Sequence, residues 1–184
     1  MNGDDLDFTK EGPPSAPVPA EKVAEARREA SSGGPQLAKS GFYVAMARHR
    51  PGGAVPPNNG KRHAVLVIED DQTLLKLVTE VLGSAGFHVR TARNRSEVNG
   101  EINKAPLPDL ILLDVTLPDA DGFQILERVR GHPKLAKMPI VLMTARSEVA
   151  DVARGLALAA DGYVTKPFKI TALLSAVGTV LGLD

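Results

Sequence analysis

Cysteine is missing from all 184 residues. Its absence excludes a disulfide scaffold, a thiolate metal site and a cysteine nucleophile. An excess of either charge is missing too: Lys plus Arg number 22 and Asp plus Glu number 22. Binding of nucleic acid is carried by surplus basic groups, so composition gives no case for it as the main partner. No apolar run approaches the roughly 18 residues that span a bilayer. The first residues, Met1 to Asp7, are acidic and lack the basic flank and apolar stretch of a signal peptide. Apolar residues at 43% and charged residues at 24% fit neither an acidic disordered chain nor a membrane bundle. A soluble cytoplasmic protein with no membrane partner is expected.

Composition divides the chain near residue 60. Residues 1–60 hold 8 of the 14 Pro and 8 of the 17 Gly. That density predicts a mostly disordered N-terminal extension. Pro13, Pro14, Pro17 and Pro19 form an extended run, and residues 51–60 read as a flexible linker. Ala20 to Ala30 is rich in helix formers, but only Val23 could anchor it, and an isolated helix of that length is marginal in water. Phe42 to Met46 is an apolar patch, read as incidental, with a docking motif as the alternative.

From residue 61 onward, apolar strands alternate with helical patterns. Ala64–Ile68, Leu110–Asp114 and Pro139–Met143 are runs for fully buried strands, Phe87–Ala92 alternates as a more exposed strand, and Gly162–Thr165 is a short fifth. Helical spacing covers 72–85, 122–130, 147–159 and 170–181, with a weak helix at 96–104. Five strands interleaved with five helices predict an α/β doubly wound parallel sheet. In such sheets ligands bind beyond the carboxyl ends of the strands.

Chemistry-bearing residues collect at those ends. The first strand runs into Glu69-Asp70-Asp71, the third into Asp114, the fourth into Thr144, and the fifth into Lys166. Clustered carboxylates are tolerated when a hard cation neutralises them, and oxygen ligands suit Mg²⁺ or Mn²⁺. A metal, an ammonium and a hydroxyl around a nucleophilic carboxylate equip a site for a phosphoryl group.

These pieces, VLVIEDD at 65–71, PDLILLDVTLP at 108–118, Asp121-Gly122, PIVLMTA at 139–145 and DGYVTKPF at 161–168, closely resemble the receiver domain of bacterial response regulators. The resemblance covers residues 63–184. It implies the flavodoxin-like strand order 2-1-3-4-5, of which receivers of this family are a standard example. It further implies that Asp114 is the phosphoacceptor. Glu69, Asp70, Asp114 and the backbone carbonyl of Thr116 would hold Mg²⁺ or Mn²⁺. Thr144 and Lys166 would contact the phosphoryl oxygens. Tyr163 matches an aromatic that changes rotamer in the family, its plainer reading being a half-buried strand residue. Thr116 and Arg146 occupy positions that tune phosphoryl lifetime. Asp71 falls one place beyond the acid pair and reads as a helix cap, and Gly122 matches a loop glycine. Ala159 stands where many relatives have glycine, which is expected only to stiffen the helix end.

The implied function is a phosphoacceptor signalling protein and not an enzyme. It would take a phosphoryl group from a sensor histidine kinase or histidine phosphotransfer protein. A degenerate receiver acting as a constitutive binding module is the alternative. An Asp-nucleophile phosphotransferase is a distant one, because Thr116 replaces its second Asp. A P-loop NTPase is excluded by the lack of the glycine-lysine motif. No DNA-binding or enzymatic domain is expected after the last helix, so output would pass through a protein partner, a homodimer or the N-terminal region. The expected output surface includes Leu158, placed away from the apolar stripe of its helix, and Ala176, on the outward face of a last helix with no charged residue.

Overall fold

The computed structural model describes residues 7–8, 17–32, 38–40, 43–48, 53–58, 60–146 and 149–183. Its elements in chain order are α1 (Ala20–Ser32), β1 (Ala38–Ser40), β2 (Tyr43–Ala47), β3 (Ala64–Ile68), α2 (Gln72–Ser84), β4 (His88–Ala92), α3 (Arg95–Ile102), β5 (Leu110–Leu113), α4 (Gly122–Gly131), β6 (Ile140–Thr144), α5 (Val149–Ala157), β7 (Gly162–Thr165) and α6 (Ile170–Leu181). The strands β4-β3-β5-β6-β7 form the expected parallel sheet, in the order 2-1-3-4-5 counted from β3.

Strand periodicity sorts the core into two layers. Leu66, Ile68, Ile111, Leu113, Ile140, Leu142 and Tyr163 point to one face and pack with α3, α4 and α5. Val65, Val67, Leu110, Leu112, Val141, Met143 and Val164 point to the other and pack with α2 and α6. Both faces are buried, which is why these strands read as unbroken apolar runs. Caps fix where helices begin. Asp71 accepts from the amides of Thr73 at 2.8 Å and Leu74 at 2.9 Å, so it opens α2 directly after the acid pair. Asn94 caps α3, accepting from Glu97 N at 2.9 Å, which compensates for the weak pattern of that helix.

Three expectations need correction. First, the described part of residues 1–60 is not extended chain. It holds a helix and two strands, and β2 pairs antiparallel with the edge strand β7, making the sheet seven-stranded. A marginal helix becomes stable when a partner face buries its apolar residues, and α1 packs along α5. Of the apolar patch at 42–46, residues 43–46 lie in β2, while Phe42 lies outside the described residues, as does Ser147, which stands at the expected start of helix 147–159 as its cap.

Second, Leu158 and Ala176 are not on open surface. Leu158 is 9% exposed, in the cluster that also buries Ala26 of α1. Ala176 is 4% exposed, in the cluster that includes Ala47 of β2. The single-helix pattern showed them facing away from the sheet. It could not show that another segment lies there.

Third, Ala159 does more than stiffen a helix end. It has φ +63°. The amide of Ala160 bonds Gly155 O at 3.0 Å and that of Ala159 bonds Leu156 O at 3.0 Å, a Schellman closure of α5. An L-residue in that region carries about 1–2 kcal/mol of strain, partly offset because Gly would gain more freedom in the unfolded chain. Ala159→Gly is therefore expected to stabilise the protein by about 0.5–1 kcal/mol. Urea unfolding checks this, and an unchanged or lowered midpoint would contradict it.

Candidate functional site

Register puts the carboxyl ends of the strands side by side. Ile68 pairs with Leu113, and the next amide, that of Asp114, donates to Ile68 O at 2.9 Å. Thr144 pairs with Thr165, and the Lys166 amide donates to Thr144 O at 2.7 Å. Four loops thus leave the sheet at one edge with Glu69, Asp114, Thr144 and Lys166 at their first turns.

The side chains meet there. Lys166 Nζ donates to Glu69 Oε2 at 2.5 Å and to Asp114 Oδ2 at 2.6 Å. Both acids are nearly sealed, Glu69 at 1% and Asp114 at 4% exposed. Burial pushes the Glu69 carboxyl up, only partly countered by the lysine. Burial disfavours the Lys166 ammonium, but hydrogen bonds to Asp114 and Glu69 outweigh it and hold its pKa above the ordinary value. Asp114 Oδ1 accepts from the amide of Thr116 at 2.9 Å. Exposed Asp70 completes the acidic group: carboxylate oxygens of Glu69, Asp70 and Asp114 lie within 4.8 Å of one another. Three hard oxygen donors at that spacing fit a small divalent cation.

The loop after β5 is shaped by one close approach. A Cβ on Gly122 would stand 2.3 Å from Asp114 O and 2.6 Å from Val115 Cα. Only glycine lets α4 begin this near the Asp114 backbone. Its amide donates to Val115 O at 2.8 Å, and Thr116 bridges to Asp121.

Thr144 is fully buried, and its Oγ1 accepts from Arg146 N at 3.2 Å. Tyr163 is also fully buried, rather than half-buried, and its hydroxyl donates to Arg146 O at 2.9 Å. Burial pushes the Tyr163 phenol well above its usual range. The Arg146 side chain turns toward Asp151, at 3.9 Å, and lies over the Phe123 ring. Gly155, which helical spacing places beside Leu158 on the outward face of its helix, is buried instead. A Cβ there would meet Leu142 Cδ1 at 2.7 Å and the Tyr163 ring at 3.0 Å, so glycine lets α5 seat on Tyr163.

Residues 65–178 match the response regulator receiver domain. The chain belongs to the response regulator receiver family. Its receiver unit is 38% identical over 123 residues to the transcriptional regulatory protein GltR of Pseudomonas aeruginosa, covering 67% of this chain and 50% of that protein. It is 36% identical over 117 residues to the phosphate regulon transcriptional regulatory protein PhoB of Escherichia coli, covering 64% and 51%. The chain thus spans about half the length of these curated relatives. Among solved structures, it is similar to the chemotaxis protein CheY4 of Vibrio cholerae, with TM-score 0.61 and 30% identity over 65% of this chain and 99% of that one. The non-phosphorylated HemR receiver domain of Leptospira biflexa matches with TM-score 0.61 and 28% identity over 67% and 97%. Among the described residues, no helix is long and apolar enough to cross a membrane.

The receiver's buried ion triad sets a pH test. Removing one partner of a buried charged cluster costs about 3–5 kcal/mol. Lys166→Met is expected to lose about that much at neutral pH in EDTA. The folded pKa of Lys166 lies above its ordinary 10.5, so its stabilisation is fully present below 10.5 and disappears as pH rises through the folded value. The stability gap between wild type and Lys166→Met should therefore narrow in strongly alkaline buffer as the ammonium loses its proton, and again in acid as protonation of Glu69, whose carboxyl burial pushes up, removes the charge the lysine balances. Denaturant titrations across pH check this, and a gap that stays unchanged into strongly alkaline buffer would contradict it.

Proposed function

We propose that this receiver is a phosphoacceptor that takes a phosphoryl group onto Asp114 from a phosphohistidine on a sensor kinase or phosphotransfer protein. The observation that carries the reading is the bridge from Lys166 to Glu69 and Asp114 beside Asp70, at the edge where β3, β5, β6 and β7 end. A carboxylate oxygen of Asp114 attacks phosphorus, the phosphorus–nitrogen bond breaks, and the imidazole leaves with its electron pair. The product is an acyl phosphate. Glu69, Asp70, Asp114 and the Thr116 carbonyl would hold Mg²⁺ or Mn²⁺. Held there, such an ion would offset charge on the attacking carboxylate and the transferring group. Lys166 then turns from the free carboxylate to a phosphoryl oxygen. The Thr144 hydroxyl supplies a further donor at the same edge.

The proposal for output is phosphorylation-dependent protein binding or dimerisation in a cytoplasmic signalling protein, without direct nucleic acid contact, because 22 basic residues against 22 acidic ones give no electrostatic case for it. The intact set of acids, hydroxyl and lysine supports this reading over a degenerate binding module.

Incubation with acetyl phosphate and Mg²⁺ tests it. Wild type should acquire an acid-stable, base-labile phosphoryl group, and Asp114→Asn or addition of EDTA should abolish it. Labelling of Asp114→Asn at the wild-type rate would sink the assignment.

Lifetime provides a separate readout. Thr116 and Arg146 flank Asp114 and Thr144, each two residues on in its loop, where a side chain can screen the acyl phosphate from water. Loss of label followed in Thr116→Ala and Arg146→Ala should give altered half-lives, and unchanged decay in both would remove that role.

A further inference from the structure

The face built by α5, β7 and α6 is already occupied, and its occupant is this chain's own N-terminal segment. Val18 and Ala30 are partly buried, and Ala26 is 3% exposed, all packed in the cluster that holds Val152, Leu156 and Leu158. Strand β2 extends the sheet beyond β7, pairing Ala45 with Val164, Met46 with Tyr163 and Ala47 with Gly162, and it contacts α6. Arg48 fastens the segment. Its amide donates to Asp161 O at 2.8 Å, its guanidinium reaches Ala160 O at 3.4 Å, and it pairs with Glu29 of α1. One residue therefore ties the helix, the strand and the loop before β7 together.

This occupant touches the elements that lead from the phosphoryl site. Thr144 accepts from the Arg146 amide, and the Arg146 carbonyl accepts from the Tyr163 hydroxyl. Tyr163 stands in the strand that β2 pairs with. Arg146 reaches Asp151 in α5, the helix on which α1 lies.

We propose that the described residues 17–32 and 43–48 form an intramolecular strap that occupies the α5–β7–α6 face, and that loading of Asp114 releases it. The inference rests on Asp114 being the phosphoacceptor. Seating of Thr144 on a phosphoryl oxygen withdraws its hydroxyl from the Arg146 amide. The Arg146 loop then loses the arrangement that holds Tyr163 and the start of α5. The surface under the strap fits the unloaded arrangement, so strap docking and loading oppose each other. Linkage makes the opposition mutual: whatever loosens the strap must favour loading by the same factor.

The full chain allows a direct test by hydrogen exchange, with Mg²⁺ and beryllofluoride as the phosphoryl mimic. Loading should speed amide exchange in 20–32 and 43–47 by at least about fivefold and leave β3 and β5 protected. Asp114→Asn should show no response. Arg48→Glu sets two carboxylates together at Glu29, and Met46→Pro removes a ladder donor opposite Tyr163. Either variant should expose the strap without loading and bind beryllofluoride more tightly by a similar factor. Protection of β3 and β5 reports whether each variant is folded, and either folded variant decides. Unchanged strap exchange in a chain whose Asp114 is loaded would overturn the inference, as would an exposed strap with unchanged affinity. Failure of Asp114 to load at all would overturn the phosphoacceptor reading itself and the inference with it, an outcome distinct from a loaded site beneath a fixed strap.

Discussion

Two carboxylates cannot both stay ionised in a sealed site unless a cation stands between them. Here Lys166 does so, with hydrogen bonds of 2.5 and 2.6 Å to Glu69 and Asp114. That requirement organises the rest of the structure. The three residues belong to three different strand ends, so the bridge exists only if the strands are parallel and in register. Register in turn depends on the apolar runs of β3, β5, β6 and β7 being buried on both faces. The site is costly to build and useful for the same reason. On the proposed phosphoacceptor role, charges that balance in a dry edge would be released when a phosphoryl group arrives and the lysine changes partner.

The core and the site were legible in the amino-acid order because each depends on local signals repeated along the chain. Buried strands announce themselves by length and β-branched content, and the acids, Thr144 and Lys166 stand immediately beyond them. A parallel topology then carries all of them to one edge without any knowledge of side-chain contacts. Asp71 was legible for the same reason: a helix start needs an acceptor, and the third acid was in place to supply it. Gly122 was visible as a loop glycine. Its cause, a backbone approach that leaves no room for a Cβ, was not.

What was hidden depends on pairs distant in sequence. Leu158 and Ala176 face away from their own stripes, as helical spacing shows. They lie instead in buried clusters shared with Ala26 and Ala47, more than a hundred residues earlier. Ala159 illustrates a second limit. Composition says alanine favours helix, whereas the backbone there has already turned to positive φ to close α5. Propensity describes a residue in an average context, and a helix end is not one.

The strap also explains how a segment so poor in structure-forming signals is ordered. Its helix fully buries only Ala26 among its described side chains, and its strand borrows an edge. An unpaired β7 would leave amides and carbonyls unmatched, so β2 satisfies the sheet as much as the sheet satisfies β2. Yet its hold is built from weak parts. Ala26 and Ala30 bury little area, and the Arg48–Glu29 pair is a quarter to a third exposed, at 35% and 27%, where screening reduces its worth. A coupling between sites is typically about 1–3 kcal/mol. A core helix such as α4, with Phe123, Ile125, Leu126 and Val129 buried, lies far beyond that range. A segment held by Val18, small side chains, one partly exposed ion pair and a short ladder stands closer to it. The same composition that made residues 1–60 look disordered is what keeps the α5–β7–α6 face within reach of a change at Asp114.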